Sequence, residues 1–196
     1  GSIVILAPIA RLIATGLTPV VNNTLIKIGD IIQSSTDTNP LIMGIVLGGI
    51  ITVVGTAPLS SMALTALLGL TGAPMAIGAM AAFSSAFMNS ALFHRLKLGD
   101  RKSTISVGIE PLSQADIVSA NPIPIYVTNF FGGAIAGIII AWSGMINNAT
   151  GTATPIAGFL VMFGFNSLTK VIIYGVVMAI IGTIAGIVGS IVFKKY

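Results

Sequence analysis

Apolar residues run through this chain in long stretches with few charges, not in the short alternating runs of a water-soluble fold. Residues 3–21, 40–55, 74–93, 122–145 and 167–193 form five such stretches, and apolar segments near 20 residues have the length of transmembrane helices. The first is irregular, because Pro8, Arg11, Gly16 and Pro19 fall inside it; Arg11 either faces a polar interior or snorkels to one interface. In residues 22–33, Leu25, Ile28, Ile31 and Ile32 fall on one side and Lys27, Asp30 and Gln33 around the other. That spacing predicts an amphipathic helix lying at the interface. Residues 34–39 predict a polar turn, and Asn39-Pro40 opens the next helix, where proline's missing N–H costs little.

Two apolar pieces are too short to span. Residues 62–70 follow the break Thr56-Ala57-Pro58-Leu59-Ser60-Ser61 and predict a half helix, and residues 155–166 predict a re-entrant or broken segment. Between the longer runs, residues 147–154 are rich in Asn, Thr and Gly and predict an external turn. Small residues four apart, at Gly44/Gly48, Gly133/Gly137 and Gly182/Gly186, predict close helix packing, since packing drives helix association in lipid. A faint echo joins Pro8-Ile-Ala with Asn23 to Lys27, and Pro155-Ile-Ala with Asn166 to Lys170, as transporters built from repeats can show.

The most unusual stretch is residues 106–124, where Glu110, Pro111, Gln114, Asp116, Asn121, Pro122 and Pro124 interrupt the apolar pattern between two spans. Each proline removes a backbone donor and pushes its predecessor out of helical geometry. Broken polar backbone near bilayer depth is tolerated only where protein buries it or it lines a wet cavity. An acidic residue there is a functional candidate by default. Glu110 can accept hydrogen bonds from a solute, exchange a proton or hold a cation; the alternative is a solvated carboxylate paired with Arg101 or Lys102. Gln114, Asp116 and Asn121 can complete a polar cluster around it, although Asp116 can equally cap a short helix.

Composition narrows the class further. Of 196 residues, 55% are hydrophobic and 7% charged, with a mean hydropathy of +1.03, against roughly a quarter charged in soluble domains. The net charge of +4 comes from nine basic residues and marks topology, not nucleic-acid binding. The cluster at residues 94–102 and the terminal Lys194 and Lys195 belong on the cytoplasmic side by the positive-inside rule. The chain has no cysteine, which excludes disulfides and thiolate metal sites, and neither a metal nor a cofactor is expected. His94, the sole histidine, sits among basic residues at a membrane exit and reads as part of a headgroup-level cluster. Trp142 reads as an interfacial anchor. Ser84, Ser85, Ser90 and Asn89 either bond to neighbouring helices or contact a substrate, the former being favoured. Asn22 and Asn148 match the glycosylation pattern, which is frequent by chance.

The order Gly108-Ile-Glu110-Pro111 followed by Asn121-Pro122 resembles the Glu-Pro…Asn-Pro hairpin of membrane IIC components of the bacterial phosphotransferase system. The wider pattern resembles the IIC-like branch that includes perfringolysin-O-regulator-type membrane proteins. Supporting stretches are Asn39 to Gly49, Leu59-Ser-Ser61 with Leu68 to Gly72, and Asn89-Ser with Phe93. The resemblance implies a sugar-contacting role for Glu110. In the family a histidine in an earlier segment assists phosphorylation; its position falls near Ala57-Pro58, where this chain has none. No catalytic residue is therefore assigned. The resemblance also implies a homodimer and cytosolic IIA and IIB partners.

The expectation is an all-α integral membrane protein: a polytopic helical bundle with about five spans, broken helices and re-entrant hairpins. Gly1-Ser2 reads as a tag scar, and residues 3–196 as one IIC-like domain, the C-terminal part of a longer chain. The expected activity is binding and translocation of a small polar solute, a sugar by resemblance, in the bacterial cytoplasmic membrane. The alternatives are a regulatory sensor that does not transport and a proton-coupled carrier.

Overall fold

A computed structural model describes residues 39–57, 59–195 and, in the N-terminal part, residues 15, 19–20, 23–24 and 26–36. Arg11, Pro58, the first two residues and most of the first expected span lie outside the described residues.

The described residues form helices with breaks and no strand, as the apolar runs predict. After helical residues 26–36, the elements are α1 (Pro40–Thr56), α2 (Ser61–Leu67), α3 (Gly72–Leu96), α4 (Arg101–Ile109), a 3-10 turn at Pro111–Gln114, α5 (Ala115–Ala120), α6 (Pro122–Ser143), α7 (Pro155–Val161), a 3-10 turn at Met162–Gly164, and α8 (Leu168–Val192). Among the described residues, α3, α6 and α8 are long and apolar enough to cross a membrane. Twenty-five residues give α3 a length of about 37 Å, more than a hydrocarbon core of roughly 30 Å. α1 is apolar but shorter.

Burial orders these helices from inside to outside. Of the most apolar 18-residue window, 78% is buried in α3, 56% in α6 and 28% in α8. α3 is the central post because its sequence is small: Ala76, Gly78, Ala79, Ala81, Ala82, Ser84, Ser85 and Ala86 let α1, α4, α6, α7 and α8 all pack on it. α8 sits at the edge and turns Ile172, Ile173, Val176, Ile180, Ile184 and Val188 outward, each about half exposed. An apolar face of that size is expected against lipid and not against water.

Glycines set the closest approaches. α1 runs antiparallel to α6, and a Cβ at Gly48 would strike the main-chain oxygen of Gly133, while one at Gly137 would strike that of Gly44. On the other side of the core, a Cβ at Gly182 would meet the main chain of Ser84, and one at Gly186 the main chain of Met88. The three glycine pairs visible in the sequence are thus two different interfaces, α1 with α6 and α8 with α3.

Several expectations are corrected. The basic loop is shorter than residues 94–102, because α3 continues through His94 and Arg95 to Leu96 and stops at Lys97, whose φ of 56° ends the helix. Asp100 then starts α4, its Oδ1 accepting from the main-chain N–H of Ser103 at 2.7 Å and from Ser103 Oγ at 3.0 Å. Those bonds hold the Asp100 carboxyl below its ordinary range. In residues 26–36, Ile32 is buried and Ile28 half-buried, but Ile31 is exposed. The buried stripe follows the i, i+4 spacing, with Gly29 against Leu68 of the broken segment.

Residues 147–154 turn at Thr150–Gly151, with Asn148 and Thr150 exposed. This stretch starts at the Ser143 end of α6, where the Asn147 N–H bonds to the Gly72 carbonyl at 3.0 Å. It then runs into the bundle, leaving Ala153 only 1% exposed. Within it Asn147 Nδ2 donates to Thr152 Oγ1 and Thr152 Oγ1 to the Ala149 carbonyl, while Asn148 Oδ1 accepts from the Gly72 N–H. α7 then carries the chain back out, and Asn166 is clamped to both main-chain groups of Ile146.

Gly48→Ala sets a rigid clash, backbone against backbone, whereas Gly164 has nothing within 4 Å of its Cβ position. Overpacking of that kind costs about 1–3 kcal/mol. Thermal unfolding in detergent is expected to show a lowered Tm for Gly48→Ala and an unchanged one for Gly164→Ala.

Candidate functional site

Three breaks in the helices meet near the midpoint of α3. The first is the α1–α2 break, where Ser60 caps α2 by accepting from the Ala63 N–H at 3.1 Å and Ser61 Oγ donates to the Ala153 carbonyl at 2.8 Å. Thr154 stands at the second, its Oγ1 accepting from the Gly158 N–H at 3.0 Å to start α7. Both of these segments return to the end of the bundle where Gly72 and Asn147 are joined.

The third break comes from the opposite end. α4 leaves the Leu96 end of α3 and packs back along it, with Ser90 Oγ donating to the Thr104 carbonyl at 3.1 Å and Gly108 lying against Ser90 and Ala86. Pro111 cannot continue this helix, so Glu110 ends it in extended geometry, with φ −143° and ψ 93°. Its N–H bonds to the Ser106 carbonyl, and its own carbonyl accepts from the N–H and Oγ of Ser113. The main chain holds Glu110 while its side chain stays exposed to a cleft of about 220 Å³.

Glu110, Ser60, Ser61, Ser85 and Thr154 supply the polar groups of that cleft, and Ile51, Leu59, Met62 and Leu112 are among its apolar ones. Arg101 and Lys102 sit at the far end of α4, about 12–14 Å away by helical rise, so they do not neutralise the carboxylate. The cleft therefore offers a strong acceptor and several hydroxyls in an apolar wall.

The other expected site residues are placed differently. The Gln114 amide is spent on Ser113, with its Nε2 2.9 Å from the Ser113 carbonyl. Asp116 and Asn121 line a separate shallow cleft with Lys97 and Gly99 at the Leu96 end of the bundle. Asn121 Nδ2 donates to the Ile117 carbonyl at 2.9 Å. Glu110 is the member of the sequence-predicted set that reaches the central cleft. No histidine lines that cleft, and His94 lies near the end of α3.

Behind the cleft is a buried network that sequence reasoning had not assembled. Asn129 Nδ2 donates to Asn89 Oδ1 at 2.6 Å, and Asn89 Nδ2 donates to Thr56 Oγ1 at 3.2 Å. Thr56 Oγ1 donates to the Thr52 carbonyl at 2.8 Å, and Thr52 Oγ1 to the Asn129 carbonyl at 2.7 Å. All four residues are at most 1% exposed, and the network ties α1, α3 and α6 together next to the C-terminal end of α1. Asn89 thus bonds to neighbouring helices, the reading favoured from the sequence, and Ser84 does likewise through the Met178 carbonyl at 2.8 Å. Ser85 is different: its hydroxyl bonds within its own helix to Ala82, and the residue borders the cleft. The signal for the network was an asparagine inside each of two apolar spans.

Comparison with known families decides the affiliation. The family model described as Phosphotransferase system, EIIC matches residues 1–196. The chain belongs to this family. Searches of curated proteins and of solved structures returned no match. As an EIIC component it is a membrane protein of the phosphotransferase system, which accounts for the lipid-facing surface of α8.

Two neighbouring substitutions on α6 are expected to behave oppositely. Asn129→Ala strands Asn89 Oδ1 in the core and costs about 1–3 kcal/mol. The Thr128 hydroxyl is buried without a hydrogen-bond partner, so Thr128→Val removes an uncompensated polar group and leaves stability unchanged or raised. Thermal unfolding of the two variants in one detergent checks both signs.

Proposed function

We propose that this EIIC component binds a small polar solute, a sugar, in the cleft where the three breaks meet, and passes it across the bilayer. The observation that carries this is the position of Glu110: a charged acceptor, close to the midpoint of α3, facing a cleft built from turns that arrive from both ends of the bundle. Broken helices around a midplane site are the architecture through which secondary transporters alternate access. Glu110 accepts hydrogen bonds from solute hydroxyls, and Ser60, Ser61, Ser85 and Thr154 orient the rest. A volume of about 220 Å³ falls below the roughly 300–1,000 Å³ of drug-sized pockets and suits a small ligand.

In this reading the segments at residues 59–61 and 152–155 are re-entrant tips. Arg95, Lys97, Arg101, Lys102, Lys194 and Lys195 face the cytoplasm of a bacterial cell; these are six of the nine basic residues, gathered at one end of the bundle. Cytosolic IIA and IIB partners would approach there. The missing histidine argues for binding without phosphoryl transfer by a group of this chain. It also favours a second reading, a sensor that binds the solute and does not move it.

Purified protein screened against sugars by thermal shift is expected to respond to at least one. Glu110→Gln should weaken that response about 10–100-fold, the scale of a hydrogen bond to a charged group, while Asp116→Asn leaves it intact. Uptake of the same sugar into liposomes separates transporter from sensor. If no sugar shifts the wild-type protein, the solute-binding reading is wrong.

A further inference from the structure

A second cavity lies outside the central cleft, on the lipid-facing side of the bundle. It is a groove of about 470 Å³ between α6 and α8, walled by Val127, Phe131, Val188 and Phe193 and floored in part by Gly132 and Gly189, which have no side chains to fill it. Gly189 packs on Thr128 and Gly132 on Met88 and Ala185, so the two helices touch beneath the groove and splay above it. Phe131 is 64% exposed and Val188 53%, so the groove opens outward toward the surrounding acyl chains of the bilayer.

One end of this groove is charged. It reaches Val192 and Phe193 at the end of α8, immediately before Lys194 and Lys195, both exposed. Neither α3 nor α8 carries an acidic residue to neutralise these cations. An apolar trough followed by two cations matches the two halves of one molecule: an acyl chain and an anionic phosphate.

The geometry points to a binding site for a single anionic phospholipid, its acyl chain lying along Phe131 and Val188 and its phosphate held by Lys194 and Lys195. The basic rim selects this occupant over a second helix, which would fill the trough without needing a counter-charge. Each Lys or Arg near an anionic lipid surface is worth about fivefold in affinity. The site rests on membership of a membrane family and is independent of what the central cleft binds.

The test is native mass spectrometry of the full chain in detergent, titrated with phosphatidylglycerol and with phosphatidylcholine of identical acyl chains. One phosphatidylglycerol per chain is expected to be retained, with phosphatidylcholine bound at least tenfold more weakly. Lys194→Gln with Lys195→Gln should weaken retention of phosphatidylglycerol about 25-fold, whereas Lys170→Gln, at the opposite end of α8, should not. Val188→Trp fills the trough and should lower retention without touching a charge, with monodispersity on size exclusion confirming that the variant folds. Equal retention of both lipids, or retention indifferent to the lysine pair, overturns the proposal. So does efficient cross-linking between Val188→Cys chains in native membranes, which would put a second copy in the groove.

Discussion

A helix that stops halfway through a bilayer leaves main-chain N–H and C=O groups without partners in a medium that offers no water, and each such group costs several kcal/mol if nothing replaces its bond. This chain stops helices in the interior at three places, so its architecture follows from how those ends are satisfied. Ser60 and Thr154 cap the short helices α2 and α7 from within. Ser61 joins one break to the other through the Ala153 carbonyl. Ser113 closes the turn after Glu110. The breaks can exist only because they brace each other, and bracing each other is what gathers them around one cleft.

That arrangement needs a central helix thin enough to be approached from every side. α3 supplies it with alanine, glycine and serine over most of its length, and glycines on α1, α6 and α8 remove the side chains that would hold the layers apart. Close packing alone would leave the layers free to slide. The Asn89, Asn129, Thr56 and Thr52 network fixes their register, because a one-turn slip would strand buried amides whose partners lie on other helices. It includes Thr56 at the end of α1, so the position of the α1 end is set by polar bonds as well as by packing.

Much of this could be read in the amino-acid order and some could not. Apolar run length located α3, α6 and α8 to within a few residues, and the order Glu110-Pro111…Asn121-Pro122 pointed to both the family and the cleft carboxylate. Glycine spacing marked which faces pack closely, yet nothing local said that Gly48 meets Gly133 while Gly186 meets Met88, since pairing is a property of the assembled bundle. In residues 147–154, Asn148 and Thr150 are exposed as Asn, Thr and Gly signal, but Asn147 and Thr152 satisfy each other and let the end of the segment enter the core, which no local pattern shows. Gln114, Asp116 and Asn121 looked like neighbours of Glu110 because they are near in sequence. The 3-10 turn and α5 carry Asp116 and Asn121 back toward the end from which α4 came, beside Lys97 and Gly99.

The account stands on the convergence of breaks from opposite ends of the bundle, and the absence of native cysteine makes that directly measurable. Met62 and Leu112 line the central cleft from different breaks, while Asp116 lies in the other cleft. A short thiol-reactive cross-linker applied to Met62→Cys/Leu112→Cys protein in native membranes should join the two positions, and should fail with Met62→Cys/Asp116→Cys. Failure of the first pair in folded protein, or equal reaction of both, would contradict a single cleft built from the α1–α2 break and the Glu110-Pro111 turn.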